Sequence, residues 1–212
     1  MKDYLLLTVV KKTKMKLLSI LALLQITLAV SAQNKVEGIG PFKINKTTVA
    51  QLPQIAQDLG VKFEEVLPDT AEAIQSGKVG QRVSEGSFCS DAKVYTARSI
   101  TLAGVDFKNV YLTFYKGSLI SFRSFGTPEI EQALTEKYGS GKSNDVPEIS
   151  SWYNKSIYTT IHLSEDPAKS ATDYFSVNDA QRPYEASQCN KKQFDKIRAA
   201  IAKKNGNPLK DL

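Results

Sequence analysis

The stretch VDFKNVYLTFYKGSLISFRSF, Val105 to Phe125, decides how this chain is read. Apolar and polar residues alternate on both sides of Tyr115-Lys116-Gly117. A period of two marks a half-buried strand, so the stretch predicts a β-hairpin. Two turns are open to it. A three-residue loop, with Gly117 at the left-handed position of a bulged turn, sets Phe114 opposite Ser118, Leu112 opposite Ile120 and Val110 opposite Phe122. Val110, Leu112, Phe114, Ile120 and Phe122 then share one face. Tyr111, Thr113, Ser121 and Arg123 share the other, with Leu119. A two-residue Lys116-Gly117 loop mixes apolar and polar residues on both faces. Register follows the apolar set, so the bulged loop is the expectation.

Working outward, KVYTARSITLAG is rich in β-branched residues and predicts a strand ending at Gly104. Further upstream, TVAQLPQIAQDLG places Val49, Leu52, Ile55, Ala56 and Leu59 at helical spacing, with Thr48 as cap and Gly60 as stop. Pro53 marks either a kink or the first turn. Gly38 to Thr48 reads as extended chain broken by Pro41. Asp69 to Gly77 begins with a capping-box spacing and predicts a second short helix. Downstream, TPEIEQALTEKYG predicts a helix capped by Thr127, with Pro128 in its first turn and Gly139 as its end. SWYNKSIYTTIHLS predicts a second hairpin turning at Asn154-Lys155. TDYFSVND predicts a further strand, and Lys191 to Lys204 a last helix stopping at Asn205-Gly206. That helix carries Phe194, Ile197 and Ile201 on one stripe and lysines and arginine elsewhere. It reads as docked on the sheet with a solvated basic side, since the stripe is narrow for a membrane surface. The expected fold class is α+β, a mainly antiparallel sheet with helices packed on one face. The order helix, three strands, helix, three strands suggests a degenerate repeat within a single domain, residues 33–212.

The N-terminal part reads as an address. MKLLSILALLQITLAVSAQ, Met15 to Gln33, has a basic start, an apolar run from Leu17 to Val30 and small residues before Gln33. These are the three parts of a secretory signal, predicting cleavage after Ala32, and Met15 fits as the true start. The run is about 14 residues, short of the roughly 20 that a spanning helix needs. Residues 1–32 hold Lys2, Lys11, Lys12, Lys14 and Lys16 and one acid, Asp3. The formal charge of +6 therefore falls to about +2 in the mature chain. A net positive charge was the main argument for a nucleic-acid partner, and it goes with the leader. The expected location is periplasmic or secreted, with no stable membrane insertion after cleavage.

Outside the cytosol, Cys89 and Cys189 permit one disulfide, closing a loop of about 100 residues. Two free thiols are the alternative. Two cysteines and one histidine do not make a four-ligand zinc site without carboxylates, so no metal is expected. No cofactor motif is present. EKYGSGKSND, Glu136 to Asp145, contains Gly-x-Gly-Lys-Ser but lacks the features of a phosphate loop. The required earlier glycine is Glu136, and the motif follows a helix instead of a strand. It reads as a helix stop and a turn.

The succession VYLTFYKGSLISF, ALTEKYG and SWYNKSIYTTIHLS, between about Val105 and Ser164, resembles small exported bacterial proteins of the β-lactamase-inhibitor-like and outer-membrane-assembly-lipoprotein group. These motifs encode turns and core, and the lipid-bearing cysteine of the lipoprotein members is missing. The resemblance implies an α+β fold and a protein-binding or envelope-associated module.

Chemistry-bearing residues are sparse. His162 is the only histidine, on the polar side of its strand with Tyr158 and Thr160, and no Gly-x-Ser-x-Gly elbow accompanies it. Glu64, Glu65, Glu85, Asp91 and Asp106 could act as paired carboxylates on a glycan, but they are scattered among turns and caps. The polar side of the sheet is more informative. Combining strand parities gathers Tyr111, Arg123, Tyr158, His162 and Tyr174, residue types enriched in binding hot spots. The expected function is a non-enzymatic binding or scaffold module recognising a protein or glycan of the cell envelope. The alternative is a carboxylate-dependent hydrolase acting on glycans.

Overall fold

The structure, a computed structural model, describes residues 35–68, 86–143 and 148–204. The signal segment 1–32, the short helix expected at Asp69 to Gly77, Glu85 and the stop at Asn205-Gly206 lie outside the described residues.

A small hairpin of β1 (Gly38–Ile39) and β2 (Phe42–Lys43) opens the fold. A 3-10 turn (Val49–Gln51) leads into α1 (Leu52–Leu59), with Pro53 in its first turn, where its missing N–H costs nothing. Gly60 ends α1 at φ 64, a conformation that glycine adopts without strain. Then come β3 (Glu64–Val66), β4 (Ala92–Leu102), β5 (Val105–Tyr115) and β6 (Ser118–Ser124). Thr127 accepts a hydrogen bond from the Ile130 amide at the start of α2 (Pro128–Tyr138). β7 (Lys142–Ser143), β8 (Ile149–Asn154), β9 (Ile157–His162), a 3-10 turn (Pro167–Thr172), β10 (Tyr174–Asp179) and α3 (Arg182–Lys204) complete the order. No described helix is long and apolar enough to cross a membrane.

The fold is α+β and mainly antiparallel. Eight strands form one sheet in the order β3-β4-β5-β6-β10-β9-β8-β7. This order is symmetric about its centre: α1 and then α2 each precede four strands, and the last strands of the two sets, β6 and β10, pair in the middle. The main core lies on one face. Phe122 sits at its centre against the rings of Phe42, Phe107 and Phe175, and Leu52 of α1 and Ile130 and Leu134 of α2 close it from above.

The central hairpin corrects the expected turn. Lys116 (φ 48) and Gly117 (φ 78) form a two-residue loop, and Tyr115 pairs with Ser118. Positive φ at both positions gives the turn whose twist matches the strands. The mixing of faces that this loop threatened is avoided inside β6. Phe114 faces Leu119, but Thr113 faces Ser121, so a bulge takes up Ile120. Leu119 therefore joins the main core. Ile120 joins a second buried cluster with Cys89, Ala92, Tyr115 and Ala186 of α3. By register, Ala92 and Tyr115 lie on the face of Tyr111, opposite the main core. The helices thus do not all share one face: α3 covers one end of the second.

The second hairpin turns one residue later than expected, at Lys155-Ser156, with Asn154 facing Ile157. Asn154 stays in the strand because its side-chain amide is buried and donates to the Val36 carbonyl at 3.1 Å. Lys155 takes the left-handed position instead, at φ 53.

The last helix begins nine residues before its expected start. Its signal was Asp179, whose carboxylate accepts from the amides of Gln181 (2.9 Å) and Arg182 (2.8 Å), satisfying donors that helix beginnings leave open. Asn45 donates to the same carboxylate at 2.7 Å, tying α3 to the turn after β2. Burial pushes the Asp179 carboxyl up, but the Arg182 amide, Asn45, the Gln181 amide and the Arg182 charge together hold it below its ordinary value. A depressed carboxyl stabilises the fold above its unfolded pKa, about 3.9, and loses that contribution as pH falls through the acid range below it. Asp179→Ala is therefore expected to cost about 2 kcal/mol at neutral pH. The difference from the parent should shrink below about pH 4, as urea denaturation at both pH values would read.

The glycine-rich motif serves packing. Gly139 (φ 82) follows the last residue of α2, and its carbonyl accepts the Trp152 indole N–H at 2.8 Å. A Cβ on Gly141 would stand 2.9 Å from the Trp152 ring. The two glycines therefore let the chain turn tightly against the indole.

Cys89 and Cys189 form a disulfide, with their Cα atoms 5.5 Å apart. The bridge fits a non-cytoplasmic, oxidising setting. Beside it, Asn190 accepts the Phe88 amide at 2.6 Å, and Phe194 packs on Phe88.

Candidate functional site

The sheet's second face is built by strand register. Tyr111 on β5 faces Arg123 on β6, and Arg123 faces Ser176 on β10. Ser176 faces Thr160 on β9, Thr160 faces Ser151 on β8, and Ser151 faces Lys142 on β7. Opposed residues in an antiparallel pair share a face, so this row crosses six strands on one side of the sheet. Tyr158 lies one row away, opposite Asn178 and Tyr153, and His162 and Tyr174 face each other one row away on the other side. The structure therefore places Tyr111, Arg123, Tyr158, His162 and Tyr174 on one face.

Local contacts fix these side chains. The Arg123 guanidinium lies 5.9 Å from the centre of the Tyr111 ring, a cation–π arrangement. No carboxylate among the described residues pairs with it. Ser121 donates to Asn178 at 2.5 Å, and Asn178 donates to Ser176 at 2.9 Å, so the floor beside Arg123 is a short hydroxyl–amide chain. Ser121, Ser151 and Ser176 are buried, whereas Tyr153 is 68% and Tyr174 42% exposed. Small hydroxyl residues thus lie beneath aromatic side chains that reach solvent.

His162 occupies a built environment at one margin. Its ring lies parallel to that of Tyr174, centroids 5.5 Å apart. Nε2 stands 3.2 Å from a Glu148 carboxylate oxygen, and Nδ1 stands 3.8 Å from Asp173. Asp173 accepts the Ser164 amide at 2.7 Å, which holds it in place. Nδ1 is buried and has no hydrogen-bond partner among the described residues.

Sequence reasoning missed Tyr153, Glu148, Asp173 and Lys142 at this face and its margin. Either turn puts Tyr153 on the face of Tyr158; the observed turn at Lys155-Ser156 sets it directly opposite Tyr158, with the two rings 6.4 Å apart. Glu148 and Asp173 lie just outside strands, where alternation gives no orientation. The other carboxylates do not converge. Glu64 pairs with Lys62, Glu65 with Lys93 and Tyr95, and Asp106 accepts from Thr101. Glu64 and Glu65 point to opposite faces of β3. Asp91 receives the Lys116 amide at its backbone carbonyl. Among the described residues, no group of three or more His, Cys, Asp or Glu is placed to hold a metal ion.

A cavity of about 420 Å³ lies elsewhere, between α2, the β1–β2 hairpin and the β4–β5 turn. It is lined mainly by apolar side chains, Leu102, Phe107 and Leu134 among them. Compared with known proteins, the chain matches no family model, no curated protein and no solved structure.

Proposed function

We propose that this is an exported, non-enzymatic binding or scaffold module, periplasmic or secreted, whose second sheet face takes up a protein or glycan of the cell envelope. One observation carries the reading. Of the five exposed large apolar side chains among the described residues, Tyr153 and Tyr174 lie on this face, and Phe125 lies two residues beyond Arg123, just past the end of β6. Exposed aromatics beside an arginine with no carboxylate partner among the described residues have the composition of a binding hot spot. The leader-like residues 1–32 and the disulfide support export. The resemblance of Val105 to Ser164 to envelope modules supports a binding role.

The test is a capture experiment on the chain from Gln33 onward. Tyr111, Arg123 and Tyr158 are replaced together by alanine, and capture from envelope extracts is compared with the parent. Capture should fall by roughly tenfold or more, since truncated hot-spot residues typically lose 1 kcal/mol or more each. A variant that keeps its circular dichroism spectrum and captures as well as the parent overturns the reading.

A second reading, a carboxylate-dependent hydrolase acting on glycans, is favoured by Glu148 and Asp173 approaching one histidine. Release of reducing ends from envelope glycans, abolished by Glu148→Gln or Asp173→Asn, would replace the first reading with the second.

A further inference from the structure

The row Arg123–Ser176–Thr160–Ser151–Lys142 has a cation at each end and hydroxyl side chains between them. Adjacent strands are about 4.8 Å apart, so the two cations stand on the order of 19 Å apart across the sheet, the length of a short oligosaccharide. Neither cation has a carboxylate partner among the described residues. Tyr158 and Tyr153 flank the row on one side, and Tyr174 stacked on His162 flanks it on the other.

Resting on the binding reading of this face, we infer that its occupant is an acidic glycan lying across the strands, with its carboxylates at Arg123 and Lys142. Guanidinium and ammonium groups supply charge-assisted hydrogen bonds to carboxylates. Tyrosine rings offer a negative π-face to the C–H edges of sugar rings. Glu148 and Asp173 are turned on His162, and their charge favours a polyanion seated toward Tyr153 and Tyr158. An acidic peptide would meet the same cations but has no rings to lay on the tyrosines.

Calorimetric titration of the chain from Gln33 onward tests this with three probes: a hexamer of galacturonic acid, long enough to reach both cations, its carboxyl-reduced counterpart and hexaglutamate. The acidic hexamer should bind saturably, and the reduced one about tenfold more weakly or worse. Arg123→Gln and Lys142→Gln should each weaken the acidic hexamer by about fivefold, and added salt should do the same. Tyr153→Ala should weaken both sugars alike. Equal affinity for the reduced hexamer, tighter binding of hexaglutamate, or no saturable binding of the acidic hexamer overturns the inference. If no sugar binds but extract capture still depends on Tyr111, Arg123 and Tyr158, the ligand class falls and the binding reading stands. If capture is independent of these residues, the binding reading itself falls.

Discussion

Replacing Cys89 and Cys189 together by serine is expected to lower stability by about 4 kcal/mol, close to the chain-entropy value for a loop of this length. The bridge spans 100 residues and joins the segment before β4 to α3. At this chain length such a loss should lower the melting temperature by on the order of 10 °C. Packing offers little compensation. Among the described residues of α3, only Ala186 is buried. The remaining ties near the bridge are the hydrogen bonds of Phe88 and Ser87 to Asn190 and the Phe194–Phe88 contact. The loss should therefore appear first as faster amide exchange along α3, before the sheet opens. Thermal denaturation of parent and variant, with and without reductant, checks this. An unchanged melting temperature would show that packing alone holds the helix.

Phe122→Ala is the second large effect, an expected loss of about 4 kcal/mol. The side chain is fully buried, and its ring contacts those of Phe42 at 5.5 Å, Phe107 at 5.6 Å and Phe175 at 6.1 Å. These neighbours come from β2, β5 and β10, so truncation opens a cavity that no single element can collapse to fill. The nearby Phe125→Ala, at an exposed position, should change stability by about 0.5 kcal/mol or less. Urea midpoints for the two variants make the comparison, and similar values would contradict this account of the core.

The α+β class and most strand identities were legible because alternation survives in a single sequence. Ile157 to Leu163 shows this well, since its apolar and polar parities correspond to the two faces observed. The turns were less legible. A two-residue loop at Lys116-Gly117 fits the apolar pattern only with a bulge inside β6, and that bulge leaves no mark of its own in the residues. Its effect is to exchange Leu119 and Ile120 between faces, which builds the surface on which α3 docks. The turn at Lys155-Ser156 depended on a hydrogen bond from Asn154 to Val36, more than a hundred residues away in the chain. The start of α3 was legible in principle: Asp179, Pro183 and Glu185 are ordinary helix-start residues. They were overshadowed by the apolar stripe that begins later.

The candidate face divides in the same way. Tyr111, Arg123, Tyr158, His162 and Tyr174 lie within strands, where parity places them. The carboxylates around His162 lie in connections, where only tertiary structure orients them.

The most direct measurement is hydroxyl-radical footprinting of the tyrosines while the protein is bound to its captured envelope component. Tyr184, on α3, is as exposed as Tyr153 at 68% and serves as the internal reference. Protection of Tyr153, Tyr158 and Tyr174 with Tyr184 unchanged is the predicted result. Protection of Tyr184 while those three stay reactive would contradict the account and move the interface to the helix.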